Sequence, residues 1–158
     1  MLSTLVRVVA VSLFLSGSTA LRAAEVGPDG LSVGELKEFL TALQTAVRLG
    51  DPTQVARYMY FPLRVNTEKG VTHSYGGGTF AKNFEQIFTP ALRSTLLSQD
   101  AAQLMRSSRG AVVGDGRMWI SSVCLDRKCA KRKTCVTVIN LGDPARPPAP
   151  ATPAQPPH

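Results

Sequence analysis

Apolar positions recur first at helical and later at strand spacing along this chain. Leu36, Phe39, Leu40, Leu43 and Val47 fall every three or four residues, which predicts a helix with one apolar stripe. Lys37, Glu38, Gln44 and Arg48 lie off the stripe and are expected to face away from it. Ser32 and Glu35 form an S-x-x-E capping box at the start, and Gly50 stands where a helix ends. Asp51-Pro52 opens a second, short helix through about Tyr58, which Pro62 closes. Thr79 is expected to cap a third helix carrying Phe80, Phe84, Ile87 and Phe88. Thr89-Pro90 then restarts a helical turn with Leu92, Leu96 and Leu97.

Leu63–Asn66 and Val71–Tyr75 flank Glu68-Lys69-Gly70 and predict a hairpin, after which Gly76-Gly77-Gly78 breaks the pattern. From Gly110 the period drops to two. Ala111–Val113, an Asp115-Gly116 turn, Met118–Val123 and Val136–Ile139 predict an antiparallel meander. Helices followed by a meander give an α+β class, with N-terminal helices packed on one face of a curved, mainly antiparallel sheet.

The two ends have a different character. Arg7, an apolar run from Val8 to Leu15, and small residues from Ser16 to Ala20 follow the order of a secretory signal, with cleavage expected after Ala20 or as late as Ala24. The run is too short to anchor in a bilayer. No cysteine follows it, so a lipid anchor is not indicated and the mature chain is expected in the periplasm or secreted. From Gly142 to His158 the chain is dominated by proline and alanine, which predicts a disordered tail over 142–158. The folded domain is thus expected over 31–141.

Several words of the domain resemble the NTF2-like, or cystatin-like cone, superfamily, and more closely its small exported bacterial members. They are Tyr60-Phe61-Pro62-Leu63-Arg64-Val65-Asn66 after an Asp-Pro-x-x-Val-Ala helix, Phe84–Arg93, Gly110–Ile120, and Cys124 to Cys129 beyond. The likeness runs over about residues 33 to 141, with departures at Thr79 and in the extra Cys135. It implies a cone with a pocket between helices and sheet. It implies no reaction, because that superfold hosts isomerases, dehydratases, binding proteins and inhibitors alike.

Composition narrows the function classes. The chain of 158 residues carries +7 at neutral pH with 6% aromatic residues, a bias toward anionic partners. A basic surplus without interleaved aromatics or a nucleic-acid-binding fold argues against nucleic acid. The three cysteines, Cys124, Cys129 and Cys135, suit one disulfide in an oxidising compartment. Cys124–Cys129 and Cys124–Cys135 are both open from the residues alone, and the family resemblance favours the first. A zinc site would need a fourth ligand, and His73 and His158 are remote in sequence.

Arg127, Lys128, Lys131, Arg132 and Lys133 crowd around these cysteines, and are expected either to form a solvated hairpin tip or to hold an anionic surface. His73 and Tyr75 share a strand face. With Tyr58 and Tyr60 near a cone mouth, and with Trp119, they make a candidate pocket for acid–base chemistry. No carboxylate is placed to pair with His73, since Asp115 and Glu68 belong to turns. Trp119, between Met118 and Ile120, is expected to anchor the core. No catalytic motif, cofactor or metal site is predicted. The leading expectation is an exported, non-enzymatic binding or interaction protein for an unknown protein or small-molecule ligand. A cone-pocket enzyme and an anion-binding surface protein are the alternatives.

Overall fold

Helix α1 (Val33–Leu49) forms where its stripe and caps predict it. Ser32 Oγ accepts from the Glu35 N–H at 3.1 Å, and the Glu35 carboxylate accepts from the Ser32 N–H at 2.7 Å, a pairing that stabilises the start by about 1 kcal/mol. Gly50 ends the helix at φ 70°, a left-handed conformation that glycine adopts without a Cβ clash. Leu36, Leu40, Leu43 and Val47 are buried, each contributing about 1.5–3 kcal/mol. Gln44 is buried with them, contrary to its expected outward position. Its Nε2 donates to Leu96 O at 2.8 Å and Gln99 O at 2.9 Å, tying α1 to carbonyls at the C-terminal end of a later helix, of which Leu96 O also accepts the Gln99 N–H. The computed structural model describes residues 26–142; the expected signal segment and the tail from 143 onward lie outside the described residues.

Helix α2 (Pro52–Ala56) is capped by Asp51, whose carboxylate accepts from the Thr53 N–H at 2.8 Å. It stops at Ala56 instead of running to Tyr58, and strand β1 (Met59–Asn66) begins before Pro62. Pro62 therefore does not close a helix. It sits inside β1, where the pairing register shifts between Met59 and Arg64 and the Phe61–Pro62 peptide is cis; a strand accommodates proline where its ladder lapses. Strand β2 (Thr72–Tyr75) completes the predicted hairpin. Helix α3 (Gly77–Lys82) starts within the glycine run, with Gly76 at the cap position. Thr79 lies inside the first turn, and its hydroxyl donates to Gly76 O at 2.9 Å instead of capping. Helices α4 (Phe84–Ile87) and α5 (Pro90–Ser98) follow, α5 restarting at Thr89-Pro90 as expected, with Thr89 as its cap.

After a 3-10 turn come β3 (Met105–Ser107), β4 (Gly110–Val113), β5 (Met118–Cys124) and β6 (Arg132–Asn140). The molecule is thus α+β, with one six-stranded sheet ordered β2-β1-β6-β5-β4-β3. Every neighbouring pair is antiparallel except β1 and β6. Register shifts in β1 and near Trp119–Ile120 are irregularities of the kind that bend a sheet.

Period-two alternation sends Leu63, Val65, Ala111, Val113, Met118 and Ile120 to the core beneath the helices, and the β5–β6 register shift lets Val136 and Ile139, three residues apart, both join them. Phe80 packs against Phe84 and Phe88, with ring centroids at 5.9 and 6.2 Å, and all three are buried. Packed rings occupy this part of the helix–sheet layer, where the cone resemblance implies a pocket. The folded unit also begins upstream of residue 31. Val26 bridges Ser32, and Asp29 is held by Arg106 on β3, with none of its side chain exposed.

Candidate functional site

The five residues expected to line one pocket are divided among separate places. His73 and Tyr75 do share a face of β2, paired opposite Val65 and Leu63, with ring centroids 6.0 Å apart. His73 is exposed and lines an open hollow of about 820 Å³ between the β1–β2 hairpin and the start of α5. Glu68, Lys69 and Arg117 line the same hollow, so the fold brings Glu68 nearer to His73's surroundings than its turn position suggests. Tyr58 instead packs its ring edge-on against Phe39 at 5.7 Å, next to the core. Tyr60 is exposed on β1, and neither tyrosine lines this hollow.

Trp119 departs most from expectation. Its neighbours Met118 and Ile120 are 0% exposed in the core, so alternation places the indole on the opposite face, helix-free among the described residues, where it is half-buried. There the strand pairing sets Met105, Val112, Trp119, Val138 and Arg64 in one row across β3, β4, β5, β6 and β1. Val112 is buried but stands apart from the main core, and Met105 is exposed at the sheet edge.

Around the indole is a second, smaller hollow of about 160 Å³, lined by Arg64, Asn66, Arg109, Thr137, Val138 and Asn140 together with Trp119. Arg64 lies two strands away on β1, and Arg109 comes from the β3–β4 turn on the other side. Hydrogen bonds hold the β1 side of this hollow. Arg64 Nε donates to Asn66 Oδ1 at 3.2 Å, Thr72 Oγ1 donates to the same oxygen at 2.8 Å, and Asn66 Nδ2 donates to Asn140 Oδ1 at 2.6 Å. Asn140 Nδ2 in turn donates to Gly116 O. On the other side the Ser121 hydroxyl donates to Arg109 O at 2.9 Å and lies 3.2 Å from Thr137 Oγ1. The ion pairs among the described residues are Arg93–Glu85 and Arg106–Asp29, so neither Arg64 nor Arg109 is matched there by a carboxylate.

Arg64, Asn66, Arg109, Thr137 and Asn140 were not expected at a site. The available signal was period two: Arg64 and Asn66 alternate with the buried Leu63 and Val65 along β1, a polar face that the apolar pattern implies but does not rank.

The basic cluster is only partly a loop. Cys124 and Cys129 are disulfide-bonded, and Cys135 is a free, buried thiol opposite Ser121 rather than a partner of Cys124. Burial pushes the Cys135 thiol above its ordinary pKa. Arg127 and Lys128 lie inside the disulfide loop, Lys131 follows it, and Arg132 and Lys133 belong to β6, opposite Cys124 and Val123. The expected hairpin tip is therefore shorter than the charge run. Asp126 organises it by accepting from the N–H groups of Lys128, Ala130 and Lys131 at 2.9, 3.0 and 2.7 Å. These backbone donors, Ala130 foremost, hold its carboxyl below the usual range. Among the described residues no cluster of three His, Cys, Asp or Glu side chains is arranged to hold a metal.

No protein-family model, curated protein or solved structure matches this chain.

Proposed function

We propose that this chain is an exported, non-enzymatic binding protein of NTF2-like architecture, and that it contacts its ligand through the helix-free face of the sheet around Trp119. The observation that carries the reading is the placement of the only tryptophan in the chain. Its indole is half-buried on the sheet face away from the helices, in a hollow shared with two arginines that no described carboxylate pairs. An aromatic ring with a few convergent polar groups is the usual make-up of a binding surface. The charged, apolar, small-residue order of the N-terminus supports export, as does a disulfide of the kind that persists in oxidising compartments. Helices gathered on one face of a sheet with two register irregularities support the NTF2-like reading.

Native and denaturing mass spectrometry on protein recovered from its host's exported fraction tests this. Wild type is expected to carry additional non-covalent mass that the Trp119→Ala variant lacks, at an unchanged fold. No additional mass on wild type, mass retained equally by the variant, or turnover that depends on His73 would overturn the reading.

A further inference from the structure

We propose that the hollow around Trp119 is a subsite for one uronate ring of an acidic polysaccharide. The inference rests on the reading of the helix-free face as the contact surface, and it adds the chemical class of the ligand.

Size comes first. At about 160 Å³ the hollow is smaller than the roughly 300–1,000 Å³ that encloses a whole drug-sized molecule. It takes a single ring.

Charge is next. Arg64 spends its Nε on Asn66 Oδ1, so the terminal nitrogens of its guanidinium remain for a ligand. Arg109 stands across the indole from it in the same hollow. A guanidinium fork matches a carboxylate with two parallel hydrogen bonds. The row Met105, Val112, Trp119, Val138 and Arg64 carries no acidic residue, and Lys133 lies opposite Val123 in the adjoining part of the sheet.

The remaining groups suit a sugar. The face of an indole is electron-rich and takes the C–H face of a pyranose. Asn66 and Asn140 each commit one amide N–H within the fold, leaving the second N–H of each amide for ring hydroxyls; the Thr137 hydroxyl donates within the sheet and can only accept from them.

Two other occupants fit less well. A second copy packed face to face would set Arg64 and Arg109 against their own counterparts, and like charges at an interface repel. A single-stranded nucleic acid would use the same ring and arginines, but an exported chain with a disulfide meets glycans in its compartment.

Because Trp119 is the sole tryptophan, fluorescence excited beyond the tyrosine absorption band reports on this hollow. Tetragalacturonate, neutral maltotetraose and a short oligothymidylate would be titrated separately into the protein, with sedimentation velocity run alongside. Tetragalacturonate is expected to shift Trp119 emission saturably, while maltotetraose does not. Arg64→Gln and Arg109→Gln should each weaken it by about tenfold or more, the scale of a lost charge-assisted hydrogen bond. Lys82→Gln, on α3, should leave it unchanged, with all three variants melting near wild type.

The proposal falls if tetragalacturonate gives no saturable shift, if maltotetraose matches it, or if oligothymidylate binds as tightly. A dimer that hides Trp119 also overturns it. Should tetragalacturonate fail while wild type still carries host-derived mass that Trp119→Ala lacks, the ligand class falls and the contact surface stands.

Discussion

Trp119 and Ile120 are adjacent in β5 yet belong to opposite worlds: Ile120 is 0% exposed in the core, and Trp119 is half-buried on the helix-free face opposite Val138. Ile120→Ala removes core volume and is expected to cost about 2–5 kcal/mol. Trp119→Ala, despite the larger deletion, should cost clearly less. Urea melts of the two variants check this, and the ranking would invert if the indole were the anchor of the core.

Asp29 and Arg106 tie the segment before α1 to β3. Arg106 Nε donates to Asp29 Oδ2 at 2.8 Å, and its Nη2 reaches Asp29 Oδ1 and Leu31 O. Burial opposes ionisation of Asp29, but the hydrogen bonds from Arg106 and Leu31 and the Arg106 charge together hold its carboxyl below the usual range. Asp29→Ala leaves the half-buried Arg106 without a carboxylate partner and with only the Leu31 carbonyl to accept from it. The expected loss is about 2–4 kcal/mol, below the full buried-pair figure because part of Arg106 reaches water. A carboxyl with a depressed folded pKa contributes fully above its unfolded value of about 3.9, and that contribution fades as pH falls through the folded value. The stability gap between wild type and Asp29→Asn should therefore be widest near neutrality and narrow below about pH 4. A gap independent of pH in urea melts would contradict the account.

Some of this was legible in the sequence, and the reasons for the rest are physical. Helix α1 was readable because its stripe, capping box and terminal glycine agree with one another. Strand β3 was not, since Met105-Arg106-Ser107 has neither alternation nor β-branched residues and pairs only because β4 lies beside it. The start of β1 was hidden by Pro62, which normally stops regular structure but here falls where the ladder lapses. At the site, His73 and Tyr75 share one face as expected, while Tyr58 and Tyr60 are grouped with them only by their expected place near a cone mouth. Trp119 was misplaced because its size was weighed above its parity with Met118 and Ile120.

Cys135 should resist alkylation in the native protein, because burial both hides its thiol and disfavours the reactive thiolate. Iodoacetamide labelling followed by peptide mapping is expected to be slow on folded protein and fast in urea, with the label on Cys135. A label on Cys129 instead would place the disulfide at Cys124–Cys135.

The disulfide encloses a short loop, with the two cysteines five residues apart, so chain entropy assigns it roughly 2 kcal/mol. Asp126 supplies the remaining order. In Asp126→Ala the amides of Lys128, Ala130 and Lys131 lose their acceptor and should exchange with deuterium much faster, while core amides such as that of Val136 keep their rates. Unchanged exchange in the loop would show that the disulfide alone orders it.

The central claim is that Trp119 looks out from a positively biased sheet face, and quenching of its fluorescence by iodide and by caesium at matched ionic strength tests it most directly. The account predicts that iodide, drawn by Arg64 and Arg109, quenches strongly and caesium weakly, and that the Arg64→Gln/Arg109→Gln double variant narrows the difference. Trp119 shielded from both ions, or quenched equally by both in wild type, would contradict it.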